Sequence, residues 1–215
     1  MPSTKAVATA ALRDLLQGPT DAEHGAGLTS ALPPGASVRG ITIKGGVASV
    51  SLDTEVLQLD PDAELGAFAQ LTFTLTQFPT VSGVDFWSGD ARIAHVDGSD
   101  IDFTKPVSRA DFEDLTPAIF IESPCVGDSV GSPFVVSGSA DTFEATFTLE
   151  LLDQGGGTLV KRTVTATAGS GTRGTFTLSI PFTTSAGGGT LVAYEISQED
   201  GSHLHEVRVP LSFSP

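Results

Sequence analysis

A serine at the centre of a Gly-x-Ser-x-Gly pattern is the clearest nucleophile candidate in the sequence. The pattern runs Gly127-Asp128-Ser129-Val130-Gly131. In hydrolases it exposes the serine hydroxyl on a sharp turn between a strand and a helix. Here Pro133 and the β-branched pair Val135-Val136 follow, and these residues favour a strand over a helix. We therefore interpret Ser129 as part of a loop that enters a strand, and not as a nucleophile.

Two histidines that are two residues apart are the best candidates for metal ligands. His203 and His205 lie on a predicted strand or turn exit, where alternate side chains face the same way. Their imidazoles could bind a metal if Glu195 or Glu199 supplied a third ligand. The alternative is a pair of exposed histidines on a hairpin, and the sequence favours this alternative.

The other base and thiol candidates have no activating neighbours in sequence. His24 lies in a glycine-rich loop and His95 in a predicted strand, and neither has a nearby group that would orient it as a general base. Cys125 follows Pro124 at the end of a predicted strand, with no adjacent cation to lower the pKa of its thiol. We expect an inert, partly buried thiol. As the single cysteine it cannot close an internal disulfide.

The densest acidic region surrounds residue 100. It contains Asp97, Asp100 and Asp102, with Asp85 and Asp90 nearby. Calcium is bound by several carboxylates and carbonyls, so such a loop could hold it. The spacing of an EF-hand and its terminal glutamate are absent, and a solvated acidic turn is the favoured interpretation.

Trp87 is the single tryptophan and lies beside Phe86. The pair could form an aromatic platform for a sugar or a protein partner, although an isolated tryptophan most often belongs to a core or its edge. None of these candidates has the context of a catalytic, cofactor or metal site. We therefore assign no catalytic, cofactor-binding or metal residue and predict that the protein is not an enzyme.

The elements that would position these residues change character at residue 116. The first half predicts a mixed α+β domain over residues 1–116. A predicted helix over 5–17 begins at a cap on Ser3 or Thr4. After this helix, Thr20 and Glu23 have the spacing of a capping box. Further along, Gly45-Gly46 predicts a tight hairpin turn. Predicted strands cover 38–44, 47–52, 81–87 and 92–96. Two further predicted helices cover 63–77 and 108–115. The buried side of the first of these helices is predicted to consist of Leu65, Phe68, Thr72 and Leu75.

The second half, residues 117–215, predicts an all-β immunoglobulin-like sandwich. Seven short strands are separated by turn clusters rich in glycine, aspartate and serine. They cover 118–122, 132–137, 143–152, 159–166, 175–180, 190–197 and 206–213. Within 143–152 the alternation of Phe143, Ala145, Phe147, Leu149 and Leu151 predicts one buried face.

Composition excludes several classes of partner. The 215 residues include 26 acidic and 11 basic side chains, a formal net charge of −15. Such a surface repels phosphate backbones, which argues against nucleic acid, and it disfavours docking on anionic lipid through the folded surface. No stretch of the sequence approaches the ~20 apolar residues of a membrane-spanning helix.

Several stretches resemble known bacterial families. Residues 119–124 and 127–140 resemble the opening of the immunoglobulin-like domain of bacterial spore-germination proteins, and Phe143-Glu144-Ala145, Gly174-Thr175-Phe176 and Glu199-Asp200-Gly201-Ser202 recur at the places expected in that family. Residues 15–20, 27–33, 46–52 and 70–76 resemble the sporulation and spore-germination domain of GerM-type proteins. The sequence departs from the pattern at Cys125, where a small residue other than cysteine is more usual.

The resemblance implies an exported envelope protein, often anchored by a lipid, with no cofactor and no catalytic residues. It implies an extracytoplasmic location and a lipoprotein precursor whose export signal is not part of this sequence. The high Ala, Gly, Thr and Asp content, with four lysines and no asparagine, suits a high-GC actinobacterium.

Three functions remain open at this point. The favoured one is a non-catalytic envelope protein that assembles with itself or with other envelope proteins. A module that binds cell-wall glycan is the second, and a hydrolase is the least favoured because no nucleophile, base or metal set has supporting context.

Overall fold

The structure of the protein is a computed structural model that describes residues 4–25, 27–53 and 55–214. The chain divides into two units, Met1–Leu115 and Thr116–Pro215, each with its own hydrophobic core. The predicted helix cap at Ser3 lies outside the described residues, as does the side chain of Thr4.

The N-terminal unit combines helices with one four-stranded sheet. Its elements are α1 (Thr4–Gln17), α2 (Asp21–Gly25), β1 (Val38–Lys44), β2 (Val47–Leu52), α3 (Pro61–Thr76), β3 (Gly83–Ser88) and β4 (Ala91–Arg92), with 3₁₀ turns at Val56–Gln58 and Arg109–Leu115. The strand order is β1-β2-β3-β4. β2 and β3 run parallel, and α3 supplies the crossover that two parallel neighbours require.

Local chemistry explains where these elements begin and turn. The chain reverses between β1 and β2 at Gly45 and Gly46, whose φ angles of 58° and 84° are readily adopted only by glycine, as the sequence predicts. The predicted capping box also forms, because the backbone N–H of Thr20 donates to Glu23 Oε2 at 2.6 Å. The Asp60 carboxylate caps α3 by accepting from the backbone N–H of Ala63 at 3.1 Å.

Only one face of this sheet is covered by the unit's apolar core. Ile41, Val50 and Phe86 point to that face and belong to the same core as α1 and α3. An aromatic cluster forms its centre, with the ring of Phe68 4.6 Å from Phe86 and 5.2 Å from Phe103 between centroids. The residues between these inward positions therefore lie on the opposite face.

Three sequence predictions for this unit need correction. The strand expected over 92–96 is only the two residues of β4, because after Ile93 donates to the Phe86 carbonyl the chain leaves the sheet. On α3, Phe68, Thr72 and Leu75 are buried as predicted, but Leu65 is only half-buried, and Ala67 and Leu71 extend the buried face. The expected helix over 108–115 is a 3₁₀ turn with a kink at Phe112.

The C-terminal unit consists mainly of two sheets that share one core. Its strands are β5 (Ile119–Ser123), β6 (Ser129–Val130), β7 (Phe134–Ala140), β8 (Thr146–Asp153), β9 (Thr158–Thr165), β10 (Gly174–Ile180), β11 (Gly188–Ile196) and β12 (His203–Phe213). The three-stranded sheet has the order β10-β7-β5 and the five-stranded sheet the order β6-β12-β11-β8-β9. Val136 and Ile180 of the first sheet and Leu149 and Leu191 of the second are fully buried in the shared core.

The prediction of a purely β-structured second half is too simple. Residues Phe143–Ala145 form a tight turn in which Glu144 and Ala145 adopt positive φ angles of 53° and 58°. Phe143 is 66% exposed as a result, and the predicted buried alternation begins only at Phe147.

The sequence also misses β6, which pairs in parallel with the end of β12. Next to this pair, the backbone N–H of Gly127 donates to the carbonyl of Pro210 at 2.8 Å, and that of Ser212 donates to the carbonyl of Asp128 at 2.9 Å. The segment from Gly127 to Val130 therefore covers the terminal part of β12.

Gly138→Ala should destabilise the C-terminal unit strongly. A Cβ at Gly138 would lie 2.0 Å from the carbonyl oxygen of Phe120 and 2.9 Å from the ring of Phe176, so strands β5 and β7 must separate. We expect a loss of more than about 2 kcal/mol in the free energy of unfolding, measured by urea titration with far-UV circular dichroism.

Gly187→Ala is the matched control, because a Cβ there meets no atom within 4 Å. We expect this variant to stay within about 0.5 kcal/mol of wild type. Equal effects of the two substitutions would contradict the close approach of β5 to β7 at Gly138.

Candidate functional site

The face of the N-terminal sheet that points away from its core carries a tryptophan among small polar residues. We name it the Trp87 face, and it consists of Thr42, Ser49, Ser51, Asp85, Trp87 and Arg92. Strand register places Thr42, Ser49 and Asp85 in one row across β1, β2 and β3. Ser51, Trp87 and Arg92 form the next row across β2, β3 and β4.

An ion pair holds one corner of this face in place. Arg92 Nη2 contacts Asp85 Oδ1, and the two side chains are 28% and 15% exposed. Arg92 also lies directly opposite Trp87 on the neighbouring strand.

Two N–H donors of the Trp87 face have no acceptor. Trp87 Nε1 and Arg92 Nε are both inaccessible to solvent and make no hydrogen bond. A buried donor without a partner costs about 1–3 kcal/mol. Both residues are only half-buried as a whole. Chemically, the face can bind carbonyl, carboxylate or hydroxyl oxygens beside an aromatic ring.

Tyr194, the comparable aromatic residue on the outer face of the five-stranded sheet, is fully satisfied. Its hydroxyl donates to Glu150 Oε2 at 2.9 Å, and the ring of His203 stacks on it at 3.5 Å between centroids. The ammonium of Lys161 lies 5.6 Å from the same ring. This cluster completes itself within the protein, whereas the Trp87 face does not.

The two C-terminal histidines do not converge on one site. A register shift in the β11–β12 pair and a positive φ of 54° at His205 turn the two side chains to different carboxylates. His203 Nδ1 lies 2.7 Å from Glu206 Oε2, and His205 Nε2 lies 3.6 Å from Glu195 Oε2. The hydrogen bond with His203 and then that with Arg208 lower the pKa of Glu206 below its usual value.

The acidic region around residue 100 is also divided among separate contacts. Asp102 accepts from the backbone N–H of Thr104 at 3.1 Å and pairs with Lys105 Nζ at 2.7 Å. Its pKa falls to about 2, mainly through Lys105 and then through Thr104. Asp97 lies 3.4 Å from His95, Asp85 pairs with Arg92, and Asp90 and Asp100 are exposed. Across residues 4–25, 27–53 and 55–214, no group of three His, Cys, Asp or Glu residues could hold a metal ion.

The nucleophile candidates lie apart from bases. Ser129 begins the two-residue strand β6, and β7 follows, so the strand-to-helix turn of a hydrolase does not form here. The prediction of a partly buried thiol at Cys125 is wrong, because this residue is exposed. Its sulfur lies 3.8 Å from the Glu122 carbonyl, and this contact is at the surface. His24 is exposed on α2, and Phe86 points into the core.

Two family models match the chain. Residues 1–93 match the model described as sporulation and spore germination, and residues 118–202 match the model described as the immunoglobulin-like domain of bacterial spore germination. The chain contains one domain of each family. The resemblance drawn from the sequence motifs is thereby confirmed, and the whole Trp87 face lies in the sporulation and spore germination domain.

Parts of the chain are similar to solved structures at low identity. A putative lipoprotein from Clostridium perfringens is 20% identical over 50% of this chain and 70% of its own, with a TM-score of 0.43. The first GerMN domain of the sporulation protein GerM from Bacillus subtilis is 23% identical over 51% of this chain and 84% of its own, with a TM-score of 0.42.

The tandem GerMN domains of that Bacillus subtilis protein are 20% identical, with a TM-score of 0.43. That match covers 76% of this chain and 52% of the tandem structure. None of the curated proteins matches the sequence.

Asp85→Asn should destabilise the sporulation and spore germination domain, because it leaves the guanidinium of Arg92 without its anion. We expect a loss of about 1–3 kcal/mol, between the values for exposed and for fully buried pairs. Urea unfolding followed by the fluorescence of Trp87 measures it. Asp97→Asn, at a side chain that is 88% exposed, is the control and should change stability by less than about 0.5 kcal/mol.

Asp102→Asn should make the same domain less sensitive to acid. The pKa of Asp102 is about 2 in the folded protein against an ordinary 3.8, so its contribution to stability is complete above 3.8 and is lost as the pH falls towards 2. Between these pH values the urea midpoint, read by Trp87 fluorescence, should fall less steeply in the variant than in wild type. Asp100→Asn should keep the wild-type slope. Equal slopes in all three proteins would contradict the assigned role of Asp102.

Proposed function

We propose that the protein is a non-catalytic, extracytoplasmic envelope protein of the sporulation and germination type that assembles with protein partners through the Trp87 face. The two family matches support the sporulation and germination context. The observation that carries the proposal is the juxtaposition of Trp87 and Arg92, each with a buried N–H donor that has no acceptor.

The energetics of protein interfaces favour a protein partner at this face. Tryptophan and arginine are enriched among the few residues that supply most of the binding free energy. Each unpaired donor also carries a desolvation cost that an acceptor from the partner removes. The small side chains of Ser49 and Ser51 beside Trp87 allow a partner backbone to approach the sheet closely.

A non-catalytic role agrees with the separation of the reactive groups. Ser129 begins strand β6, Cys125 is exposed, and His203 and His205 lie next to different carboxylates, so these candidates do not converge. The hydrolase hypothesis therefore has no site to support it within the part of the chain that the structure describes.

The proposed location rests on the sequence resemblance. In this proposal the protein lies outside the cytoplasm, and its precursor is a lipoprotein that its lipid holds at the membrane. The second domain is then an immunoglobulin-like sandwich next to the first in the chain. Within the described ranges, no helix is long and apolar enough to cross a membrane.

Binding of cell-wall glycan is a second candidate, favoured by the hydroxyl groups of Thr42, Ser49 and Ser51 around an aromatic ring. Sugar rings stack on aromatic faces and pair their hydroxyls with such side chains. The same face would therefore serve both functions, and only the ligand separates them.

Trp87→Ala should weaken assembly at least about tenfold, because it removes the aromatic anchor and one donor. Light scattering coupled to size exclusion over a concentration series measures self-association, and circular dichroism checks that the variant is folded. Phe143→Ala is the matched control, since this ring is 66% exposed in the other unit. We expect the control to associate as wild type does.

Two other outcomes would reassign the face. If wild type is a monomer at every concentration and Trp87→Ala abolishes pulldown by peptidoglycan, glycan is the ligand. If Trp87→Ala changes neither association nor pulldown by peptidoglycan or by purified envelope proteins, the Trp87 face is not the binding surface.

A further inference from the structure

An open groove lies between the edges of the two C-terminal sheets. β9 ends the five-stranded sheet and β10 ends the three-stranded sheet. The two edges join where the Thr167 N–H donates to the Thr175 carbonyl at 3.0 Å and the Thr175 N–H donates to Thr167 Oγ1 at 2.9 Å. Away from this junction, a groove of about 600 Å³ separates residues 159–162 from residues 181–183.

One wall of the groove is a strand with an unpaired edge. β9 pairs with β8 and with no other strand of the described residues, over the eight residues Thr158–Thr165. Alternate backbone N–H and C=O groups on its free side therefore have no strand to bond with. Such an edge is a template on which an extended chain can add.

The opposite wall is fixed in place before anything binds. The backbone N–H of Phe182 donates to Ser132 Oγ at 2.9 Å. Its half-buried ring contacts Phe134 edge-to-face at 5.7 Å and Phe213 at 4.8 Å between centroids. A preformed apolar surface of this kind costs little ordering on binding.

An unbalanced positive charge lies between these walls. Arg162 lies on the same side of β9 as Val160 and Val164, which is the side that faces the core. Its cross-strand partner Leu149 is fully buried, yet Arg162 itself is exposed. The structure gives it no hydrogen bond and no ion pair among the described residues. The ammonium of Lys161, on the other side of the strand, is 3.7 Å from Glu150. Among the residues that the structure describes, no acidic side chain lines the groove, although the chain has 26 acidic residues.

We propose that β9 binds an acidic, extended segment of a protein partner, which adds to the five-stranded sheet as a further strand. A carboxylate of that segment pairs with Arg162, and an apolar side chain beside it lies on Phe182. This surface belongs to the C-terminal unit and the Trp87 face to the N-terminal unit, and the proposal does not depend on the Trp87 face.

Charge complementarity selects this occupant over a second β9. Antiparallel pairing of two copies centred on Arg162 would place the two Arg162 side chains opposite each other, and pairing centred on Lys161 would do the same for the two lysines. Like charges directly opposite each other destabilise a strand pair. The basic residues of β9 therefore disfavour pairing with β9 of a second copy and favour pairing with an acidic strand.

A labelled peptide of eight residues that alternates valine and glutamate is the probe, and fluorescence anisotropy with the full chain measures its binding. We expect saturable binding that weakens with salt, and at least about tenfold weaker binding to Arg162→Glu. Arg13→Glu, an exposed position on α1 with the same change of net charge, should bind as wild type does. Trp87→Ala should also bind normally, which separates this test from that of the proposed function.

Two modified peptides test the mode of binding. A peptide with lysine in place of glutamate should not bind, and a peptide N-methylated at alternate residues along the edge that meets β9 should lose binding because it cannot donate to the strand.

Equal binding of the acidic and basic peptides, or no binding at millimolar concentration, would overturn the proposal. If Arg162→Glu only increases self-association of the chain, Arg162 protects the edge from aggregation and is not a recognition residue.

Discussion

A β-strand alternates its side chains between the two faces of a sheet, and the outer faces of this protein follow from that constraint. In the N-terminal unit the helices cover a single face, so alternate residues of the strands lie on the other. Such positions are expected to be polar. Two aromatic exceptions, Tyr194 and Trp87, differ in one respect: Tyr194 finds its hydrogen bond and its stacking partner within the protein, whereas the indole N–H of Trp87 finds no acceptor. This difference distinguishes an internal packing solution from a surface that a partner can complete.

Features encoded by neighbouring residues were predictable from sequence. The hairpin at Gly45-Gly46 and the capping box at Thr20 depend on a few adjacent positions, and both form. The predicted burial of Phe143 is wrong because alternation of residue types does not reveal that the next two residues adopt positive φ angles. The predicted partial burial of Cys125 is wrong because the burial of a loop residue depends on which other segments pack against the loop.

The candidate surfaces were only partly predictable, because cross-strand register decides them. Trp87 was recognisable as a residue type, but its neighbour Arg92 comes from the pairing of β3 with β4. His203 and His205 share a side only in a regular strand, and the register shift removes that regularity. The sequence did contain a signal for Arg162, which is a cation between Val160 and Val164 on one side of an alternating strand. An arginine is, however, equally common where a strand faces solvent, so this signal alone does not identify a binding residue.

The covering of β12 by the segment from Gly127 to Val130 has a consequence for growth of the five-stranded sheet. Pro210, whose carbonyl accepts from Gly127, has no N–H to offer a further strand, so this side of the sheet is closed at that point. Beyond β9, the other end of the five-stranded sheet is therefore covered over residues 210–213. A strand added at β9 cannot be matched by one added along this covered stretch, so repeated addition through these two edges does not build a fibre.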